Sequence, residues 1–267
     1  MFYTVENFGF KEFEFDLPFK CEVHHCFPRA LPSKEKFSVL IHYMEPFQLK
    51  WSNEEVRKYY SIFNLILTNE DSLLDLPNAV FACMGGKWVK SRPNQKFFNL
   101  SFLYSGGIGS DHLFSGYTHR RELWHKRQKI IIPNTFYTSI HRPPHQIIDL
   151  NPYPFSNKDQ LFNSMFSVVI ENDYQKNYFS EKLIDAFATF TIPIYLGSPN
   201  INSFFDTNGM LLPKSIDELI DIVNSLNSDY YWENIESLNN NYLRSKEYWD
   251  VIGNLKQAIL DSFDKFY

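Results

Sequence analysis

The chain has 267 residues, a formal net charge of −5 at pH 7 and an aromatic content of 18%. This length is enough for one large domain or two of ordinary size, each with a substantial buried core. The negative charge argues against a nucleic-acid-binding protein, because it leaves no basic stripe to neutralise a phosphate backbone. No apolar run approaches the roughly 20 residues of a membrane-spanning helix, and residues 1–19 alternate Phe with Glu and Asp, unlike a secretory signal.

Three cysteines, Cys21, Cys26 and Cys83, bear on both disulfides and metals. An odd number cannot pair completely, so no disulfide framework is expected. Cys21 and Cys26 flank His24 and His25, which raises the possibility of a metal site. A structural zinc site needs four ligands at more regular spacing, usually with a second pair elsewhere. We therefore predict no metal here and interpret these thiols as buried beside a strand.

The first third of the chain is predicted to alternate strands with a helix. Residues 10–19 alternate apolar and acidic side chains, which is typical of a strand, and Ser52 with Glu55 forms a capping box that predicts a helix start. The predicted strands are 10–19, 37–44, 63–68 and 76–81, and the predicted helix is 51–60. We expect a small α/β domain over residues 1–92, with the polar, proline-containing segment 91–95 as a linker.

Glycines follow directly after the next predicted strand, residues 97–104. Glycine lets backbone N–H groups approach a ligand closely. The segment Ser105, Gly106 and Gly107 is therefore a possible phosphate-binding loop, although it is shorter than the G-x-G-x-x-G pattern.

A basic helix is predicted at residues 117–127, and it carries Arg120 and Arg121. Such a cluster is usually a solvated face of a helix. A short strand is expected at 130–132. Residues 141–160 contain four prolines and are predicted to form an irregular loop.

The most informative stretch is residues 166–205. Phe166–Ile170 is an apolar strand, Ser180 is a good N-cap for the helix that follows, and Ile192–Leu196 is the next strand. Together they predict a right-handed βαβ unit, in which ligands bind beyond the carboxyl ends of the strands. The polar residues expected at that edge are Glu171, Asn172, Tyr178, Ser180, Glu181 and Lys182. A helix N-terminus beside Lys182 favours an anion such as a phosphate, whereas the alternative is an ordinary charged surface loop.

The C-terminal part is predicted to be helical. Ser215 and Glu218 form another capping box before an amphipathic segment, and residues 229–265 are predicted to be helical throughout. We expect residues 93–245 to form the second domain and residues 246–267 to pack back toward the first.

The stretch IENDYQKNYFSEKLIDAFATFTIPIYLGSPN resembles the signature of glycosyltransferase family 10, the α-1,3-fucosyltransferases. Glu171 and Tyr178 stand seven positions apart, as in that family's pattern, and Glu181 and Lys182 follow in register. Ser180 replaces the family's usual threonine and keeps the hydroxyl. Fainter similarity extends to YMEPF and FNLILTNEDSLLDLPNAVF in the first domain.

The resemblance implies a GT-B type α/β fold, with two Rossmann-like domains facing each other across a cleft. It also implies GDP-fucose as donor, a glycan hydroxyl as acceptor, inversion at the anomeric carbon, and no obligatory cofactor. Glu45 is placed as the catalytic base, Arg120 or Arg121 at the donor diphosphate, and Glu181 at sugar hydroxyls. Asn172 and Tyr178 would line the same pocket.

The sequence contains no Asp-x-Asp motif, with which many glycosyltransferases hold a divalent metal. We therefore expect the charge of the departing diphosphate to be stabilised by Lys182, an arginine and the Ser180 helix terminus. Another nucleotide-sugar donor and a non-catalytic nucleotide-sugar or glycan-binding module are the alternatives. The expected location is the cytoplasm, as for a bacterial or viral enzyme, unless the chain is a soluble catalytic fragment.

Overall fold

A computed structural model describes residues 16–25, 31–43, 52–83, 85–104, 116–139, 151–153 and 158–267. It divides the chain into two compact units. The first comprises Met1–Met84 with Asp250–Tyr267, and the second comprises Gly85–Trp249. Within the described ranges, no helix is both long enough and apolar enough to cross a bilayer.

The first unit contains a parallel four-stranded sheet. In sheet order its strands are β1 (Cys21–His25), β2 (Phe37–His42), β3 (Leu65–Thr68) and β4 (Ala79–Phe81). Every residue of β2 is buried, as expected for a parallel strand that is covered on both faces. Helix α1 (Asn53–Tyr59) begins at the predicted capping box, in which Ser52 Oγ accepts from the Glu55 N–H and the Glu55 carboxylate accepts from the Ser52 N–H.

Aromatic packing holds the C-terminal helix α7 (Val251–Phe266) in the first unit. Phe263 stacks on Phe19 with ring centroids 3.6 Å apart and meets the edge of Phe37 at 5.1 Å. The Asn64 side chain also donates to the carbonyl of Phe266 at 3.4 Å. Contacts between these large rings stabilise the packing of α7 in the first unit.

The second unit contains a parallel five-stranded sheet. Its strands are β5 (Phe97–Tyr104), β6 (Asn134–Ser139), β7 (Asn151–Tyr153), β8 (Ser164–Ile170) and β9 (Ile192–Leu196), and its helices are α2 (Gly116–Lys126), α3 (Glu181–Ala188), α4 (Ile216–Asn224), α5 (Ser228–Glu233) and α6 (Ile235–Ser245). The strand order is β7-β6-β5-β8-β9. From β5 the chain passes outward through β6 to β7. It then returns to β8, on the other side of β5, and passes outward to β9. The switch point between β5 and β8 is where such sheets bind ligands, beyond the carboxyl ends of the strands.

One strand prediction and one loop prediction in the second unit are wrong. Residues 130–132 do not form a strand, because the N–H of Ile130 closes a 3₁₀ turn onto Arg127 and Ile131 is 79% exposed. The Asn134 side chain donates to the carbonyl of Ile132, and β6 begins at Asn134 instead. The predicted irregular loop 141–160 contains β7, which pairs with Tyr137–Ser139 despite its proline.

The predictions for the two ends of the chain also need correction. Residues 16–19 are not a strand, residues 10–15 lie outside the described ranges, and the first described strand is β1. Contrary to the prediction, residues 229–265 are not one continuous helix, because α5 ends at Glu233 and Asp250 caps α7 by accepting from the Gly253 N–H.

Candidate functional site

The loop that follows β8 is anchored by a buried carboxylate. Glu171 is fully buried, and its two carboxylate oxygens accept from the backbone N–H of Ser180 at 2.9 Å and from the Ser180 hydroxyl at 2.6 Å. The Ser180 oxygen accepts in turn from the N–H of Lys182, which makes it the N-cap of α3, as predicted. The structure therefore turns Glu171 onto the start of α3, where it fixes that helix to the end of β8.

Arg120, on α2, reaches the carboxyl end of β8. Its guanidinium donates to the carbonyl of Ile170 and, at 2.7 Å, to Oδ1 of Asn172. Arg120 is 5% exposed, whereas Arg121 lies on the exposed side of the same helix. Of the two arginines that the sequence left open, the structure brings Arg120 to the end of β8.

A glycine allows this close approach of α2 to β8. The N–H of Gly116 donates to the carbonyl of Asn172 at 3.0 Å. A Cβ at Gly116 would lie 1.6 Å from the carbonyl oxygen of Glu171, which no side chain can tolerate. The first turn of α2 and the end of β8 are therefore in direct backbone contact.

Lys182 and Glu181 begin α3 and belong to a network of ion pairs. Lys182 Nζ lies 3.5 Å from Glu171 Oε2 and 3.6 Å from Glu181 Oε1, and its side chain is 26% exposed. Burial opposes ionisation of Glu181, but the Lys182 and Lys158 ammonium groups outweigh it and lower the pKa of Glu181 to about 2. Glu181 is consequently an ionised hydrogen-bond acceptor throughout the neutral range.

Two members of this network, Lys158 and Asp185, were not among the predicted site residues. Lys158 Nζ lies 3.2 Å from Glu181 Oε1 and 3.4 Å from Asp185 Oδ2. Lys158 lies inside the predicted irregular loop, where no local sequence pattern indicates a buried lysine. Asp185 carried a usable signal, since it stands four residues after Glu181 among the apolar positions of an amphipathic helix.

An amide pair holds Asn177, near the end of the loop between β8 and α3. The N–H of Asn177 donates to the Asn200 side-chain oxygen and the Asn200 amide donates to the Asn177 oxygen, both at 2.8 Å. Asn177 has φ of 63°, a left-handed conformation that asparagine tolerates better than most residues. The following residue, Tyr178, is 5% exposed. The pair thus fixes the loop between β8 and α3 against the segment after β9.

Four predicted site residues, Glu45, Ser105, Gly106 and Gly107, lie outside the described ranges. So does Cys26 of the cysteine–histidine cluster. Burial raises the pKa of the Cys21 thiol to about 12, which keeps it protonated and a poor metal ligand. Among the described residues, no three His, Cys, Asp or Glu side chains are grouped closely enough to hold a metal ion.

The arrangement at the end of β8 is suited to an anionic ligand. It combines the N-terminus of α3 with two cationic side chains, Lys182 and Arg120, at the switch point of a parallel sheet. Backbone N–H groups and cations at such a place bind phosphate groups well.

Comparison with known proteins gives one significant curated relative. The α-(1,3)-fucosyltransferase FucT of Helicobacter pylori is 34% identical over 80 residues, which are 28% of this chain and 17% of that protein. The match therefore spans less than a fifth of the relative's length. No protein-family model matches the chain.

Solved structures match over much more of the chain. An α1,3-fucosyltransferase crystallised with GDP-fucose superposes with a TM-score of 0.57 at 16% identity, covering 96% of this chain and 78% of that one. Anabaena HepE in complex with UDP gives a TM-score of 0.59 at 9% identity, covering 92% and 79%. Sucrose-phosphate synthase from Thermosynechococcus elongatus gives 0.58 at 9% identity, covering 92% and 74%.

The chain shares the fold of these glycosyltransferases. The GT-B type α/β fold expected from the sequence is confirmed, with a parallel sheet in each of the two units.

Proposed function

We propose that the protein is a family 10 glycosyltransferase that transfers fucose from GDP-fucose to a glycan hydroxyl, with inversion and without a divalent metal. The sequence signature around Glu181 and Lys182 supports this assignment, as does the similarity to the Helicobacter pylori enzyme. The fold match to an α1,3-fucosyltransferase crystallised with GDP-fucose supports the donor class.

The convergence of Lys182, Arg120 and the α3 N-terminus on the end of β8 is the observation that carries the proposal. A departing nucleoside diphosphate carries charge that must be stabilised as the glycosidic bond breaks. A lysine contributes a compact charge, an arginine contributes a planar fork of donors, and the helix start contributes oriented N–H groups. The absence of an Asp-x-Asp motif from the sequence leaves this task to such groups.

Glu181 is assigned to the hydroxyl groups of the donor sugar. Its carboxylate is ionised at neutral pH, because Lys182 and Lys158 hold its pKa at about 2 against the effect of burial. An ionised carboxylate accepts strong hydrogen bonds from hydroxyl groups and can therefore orient the sugar.

Glu45 is assigned as the general base that removes the proton from the acceptor hydroxyl. This assignment rests on the YMEPF segment and its resemblance to the family. A base aligned with the acceptor oxygen would allow in-line attack on the anomeric carbon and give inversion.

A second candidate is transfer from a UDP-sugar on the same scaffold. The fold match to HepE, whose structure contains UDP, supports this candidate at a TM-score of 0.59. Proteins of this fold thus accommodate more than one nucleotide. The two candidates differ in the nucleobase that the protein must recognise, guanine or uracil. They share the proposed diphosphate site described above.

A turnover assay tests the proposal. The protein is incubated with GDP-fucose, GDP-mannose or UDP-glucose, with galactose- and N-acetylglucosamine-containing acceptors, in the presence or absence of EDTA. We expect acceptor-dependent release of GDP from GDP-fucose that EDTA does not abolish. Release of UDP from UDP-glucose alone would favour the second candidate, and loss of turnover in EDTA would refute metal independence. Tight GDP binding without turnover on any acceptor would indicate a non-catalytic binding module.

A further inference from the structure

Lys158 is a buried cation between two carboxylates. Its side chain is 7% exposed, and its ammonium group lies 3.2 Å from Glu181 Oε1 and 3.4 Å from Asp185 Oδ2. It also lies 4.4 Å from the centre of the Trp88 ring, a favourable cation–π contact. A buried lysine loses hydration on folding, so it is tolerated only where partners of this kind surround it.

Asp185 holds this lysine in place. Its Oδ1 accepts from the backbone N–H groups of Trp88 at 2.7 Å and Val89 at 3.1 Å, which leaves Oδ2 directed at Lys158. Hydrogen bonds from backbone groups to a buried carboxylate are strong and geometrically restrictive. The position of the Lys158 ammonium group is therefore defined by two separate segments of the second unit, α3 and residues 88–89.

The charged groups that face Glu181 come from three elements. Lys182 and Asp185 lie on α3, Glu171 lies at the end of β8, and Lys158 precedes β8. The Lys182 ammonium group lies at similar distances from the carboxylates of Glu171 and Glu181, so both share it. Lys158 makes the shorter contact with Glu181, and both lysines contact the same oxygen, Oε1.

We propose that Lys158 is a positioning residue for the proposed fucosyl transfer: it fixes the Glu181 carboxylate in direction and keeps it in the ionised, hydrogen-bond-accepting form toward the donor sugar. This inference rests on the proposed function, because it assigns Lys158 a role through the sugar contact of Glu181. By anchoring Oε1, the lysine sets the direction of the second oxygen of the same carboxylate. Lys182 makes the largest single contribution to the lowered pKa of Glu181, but it is more exposed and is shared with the proposed diphosphate site, so it is less suited to fixing the direction of the carboxylate.

The test measures the contribution of the sugar to donor binding as a function of pH. Dissociation constants for GDP and GDP-fucose are determined by calorimetry between about pH 7.5 and about pH 4.5, and their ratio reports what the fucose adds. Lys158→Met is compared with Lys126→Met, since Lys126 also bridges two carboxylates, Glu122 and Asp217, which are not predicted site residues. Lys158→Arg preserves the cation and serves as the rescue variant.

We expect the ratio to vary less than about twofold with pH in the wild type, Lys126→Met and Lys158→Arg, because Glu181 remains ionised throughout this range. This holds even though the buried Asp185, whose pKa is raised to about 6, takes up a proton within it. In Lys158→Met the ratio should fall by at least about threefold toward the acid end, because removing the Lys158 ammonium group and its hydrogen bond raises the pKa of Glu181, whose burial is then opposed mainly by Lys182. Should the buried charge imbalance prevent this variant from folding, Lys158→Met with Asp185→Asn removes both charges and keeps an oxygen for the Trp88 and Val89 N–H groups. This double variant should also lose at least about threefold toward the acid end.

A ratio in the Lys158→Met variants that follows the wild-type pH profile would overturn the inference, even if their stability is reduced. So would a Lys158→Arg profile that resembles that of Lys158→Met. If the wild type binds neither GDP nor GDP-fucose, the proposed function itself fails. Binding by the wild type with unchanged variant profiles would refute only the role of Lys158.

Discussion

The Glu171 carboxylate accepts a hydrogen bond from the backbone N–H of Ser180 at 2.9 Å, across the loop that joins β8 to α3. The same carboxylate accepts from the Ser180 hydroxyl and lies 3.5 Å from the Lys182 ammonium group. One buried acidic side chain thus determines where α3 begins and where Lys182 is placed. The proposed anion site depends on this contact even though Glu171 is turned toward the protein.

Glu171→Ala should therefore destabilise the protein and weaken GDP binding together. The substitution leaves the partly buried N–H of Ser180 without its acceptor and removes a buried partner of Lys182, at a cost of about 3 kcal/mol in the free energy of unfolding. Glu122→Ala, which removes the exposed partner of Lys126, is the control and should cost less than about 1 kcal/mol. Urea unfolding measures both, and equal losses for the two variants would contradict the role given to Glu171.

The two arginines of α2 should differ sharply in their effect on GDP affinity. Arg120→Met removes the buried guanidinium that reaches Asn172, and we expect GDP affinity to fall by roughly 10- to 100-fold, as for the loss of a charged hydrogen-bond donor. Arg121→Met removes a charge of the same sign from the exposed side of the helix and should change affinity less than about threefold. Calorimetry with GDP separates them. A larger loss for Arg121 would reassign the diphosphate contact.

Glu45→Gln should separate binding from turnover. As the proposed general base, Glu45 contributes to proton removal and not to holding the nucleotide, so GDP-fucose affinity should stay within about threefold while turnover falls by roughly 100- to 10,000-fold. Glu35→Gln, at an exposed glutamate of the same unit, is the matched control and should retain turnover. A Glu45→Gln enzyme with normal turnover would remove this residue from the mechanism.

Asp185 should give the protein a measurable dependence of stability on pH. Burial raises the pKa of Asp185 from 3.8 to about 6, although Lys158 opposes the shift. The native state then holds this proton more tightly than the unfolded state, so the stabilisation is fully present below about pH 4 and is lost as the pH rises through about 6. Relative to Asp185→Asn, the wild type should lose on the order of 2–3 kcal/mol of unfolding free energy between about pH 4 and about pH 7.

Glu181 acts in the opposite direction and in a lower pH range. Its pKa is lowered from 4.5 to about 2, so its stabilisation is present above about pH 4.5 and is lost as the pH falls through about 2. Both proteins of the comparison retain Glu181, and its effect largely cancels. A difference in unfolding free energy that stays constant or grows in favour of the wild type from pH 4 to pH 7 would contradict the raised pKa of Asp185.

Local chemistry explains what the sequence could predict. Ser52 and Ser180 cap helices through groups within three residues of themselves, and Phe166–Ile170 forms a buried strand because its side chains are apolar throughout. These features depend on neighbours in the chain, so they can be recognised without a structure. In a βαβ unit the carboxyl ends of both strands lie at the same edge of the sheet. The edge at which polar residues collect could therefore also be predicted.

Contacts between distant segments explain what it could not. Lys158 meets Glu181 across 23 positions, and Trp88 meets Asp185 across 97, so neither contact leaves a local pattern. Ile130 and Ile132 look like strand residues, yet a 3₁₀ turn and an asparagine side chain take the backbone groups that a strand would pair. The choice between Arg120 and Arg121 likewise depended on which side of α2 faces β8.

The most direct test of the account is a titration of the isotopically labelled protein with GDP, followed through its amide resonances. The central claim is that a nucleoside diphosphate binds where α3 begins, held by Lys182, Arg120 and the helix N–H groups. We expect saturable shifts of the Ser180, Glu181 and Lys182 amide signals that are absent from the Lys182→Met variant at the same GDP concentration. Amide signals in this segment that stay unchanged at saturating GDP would contradict the claim.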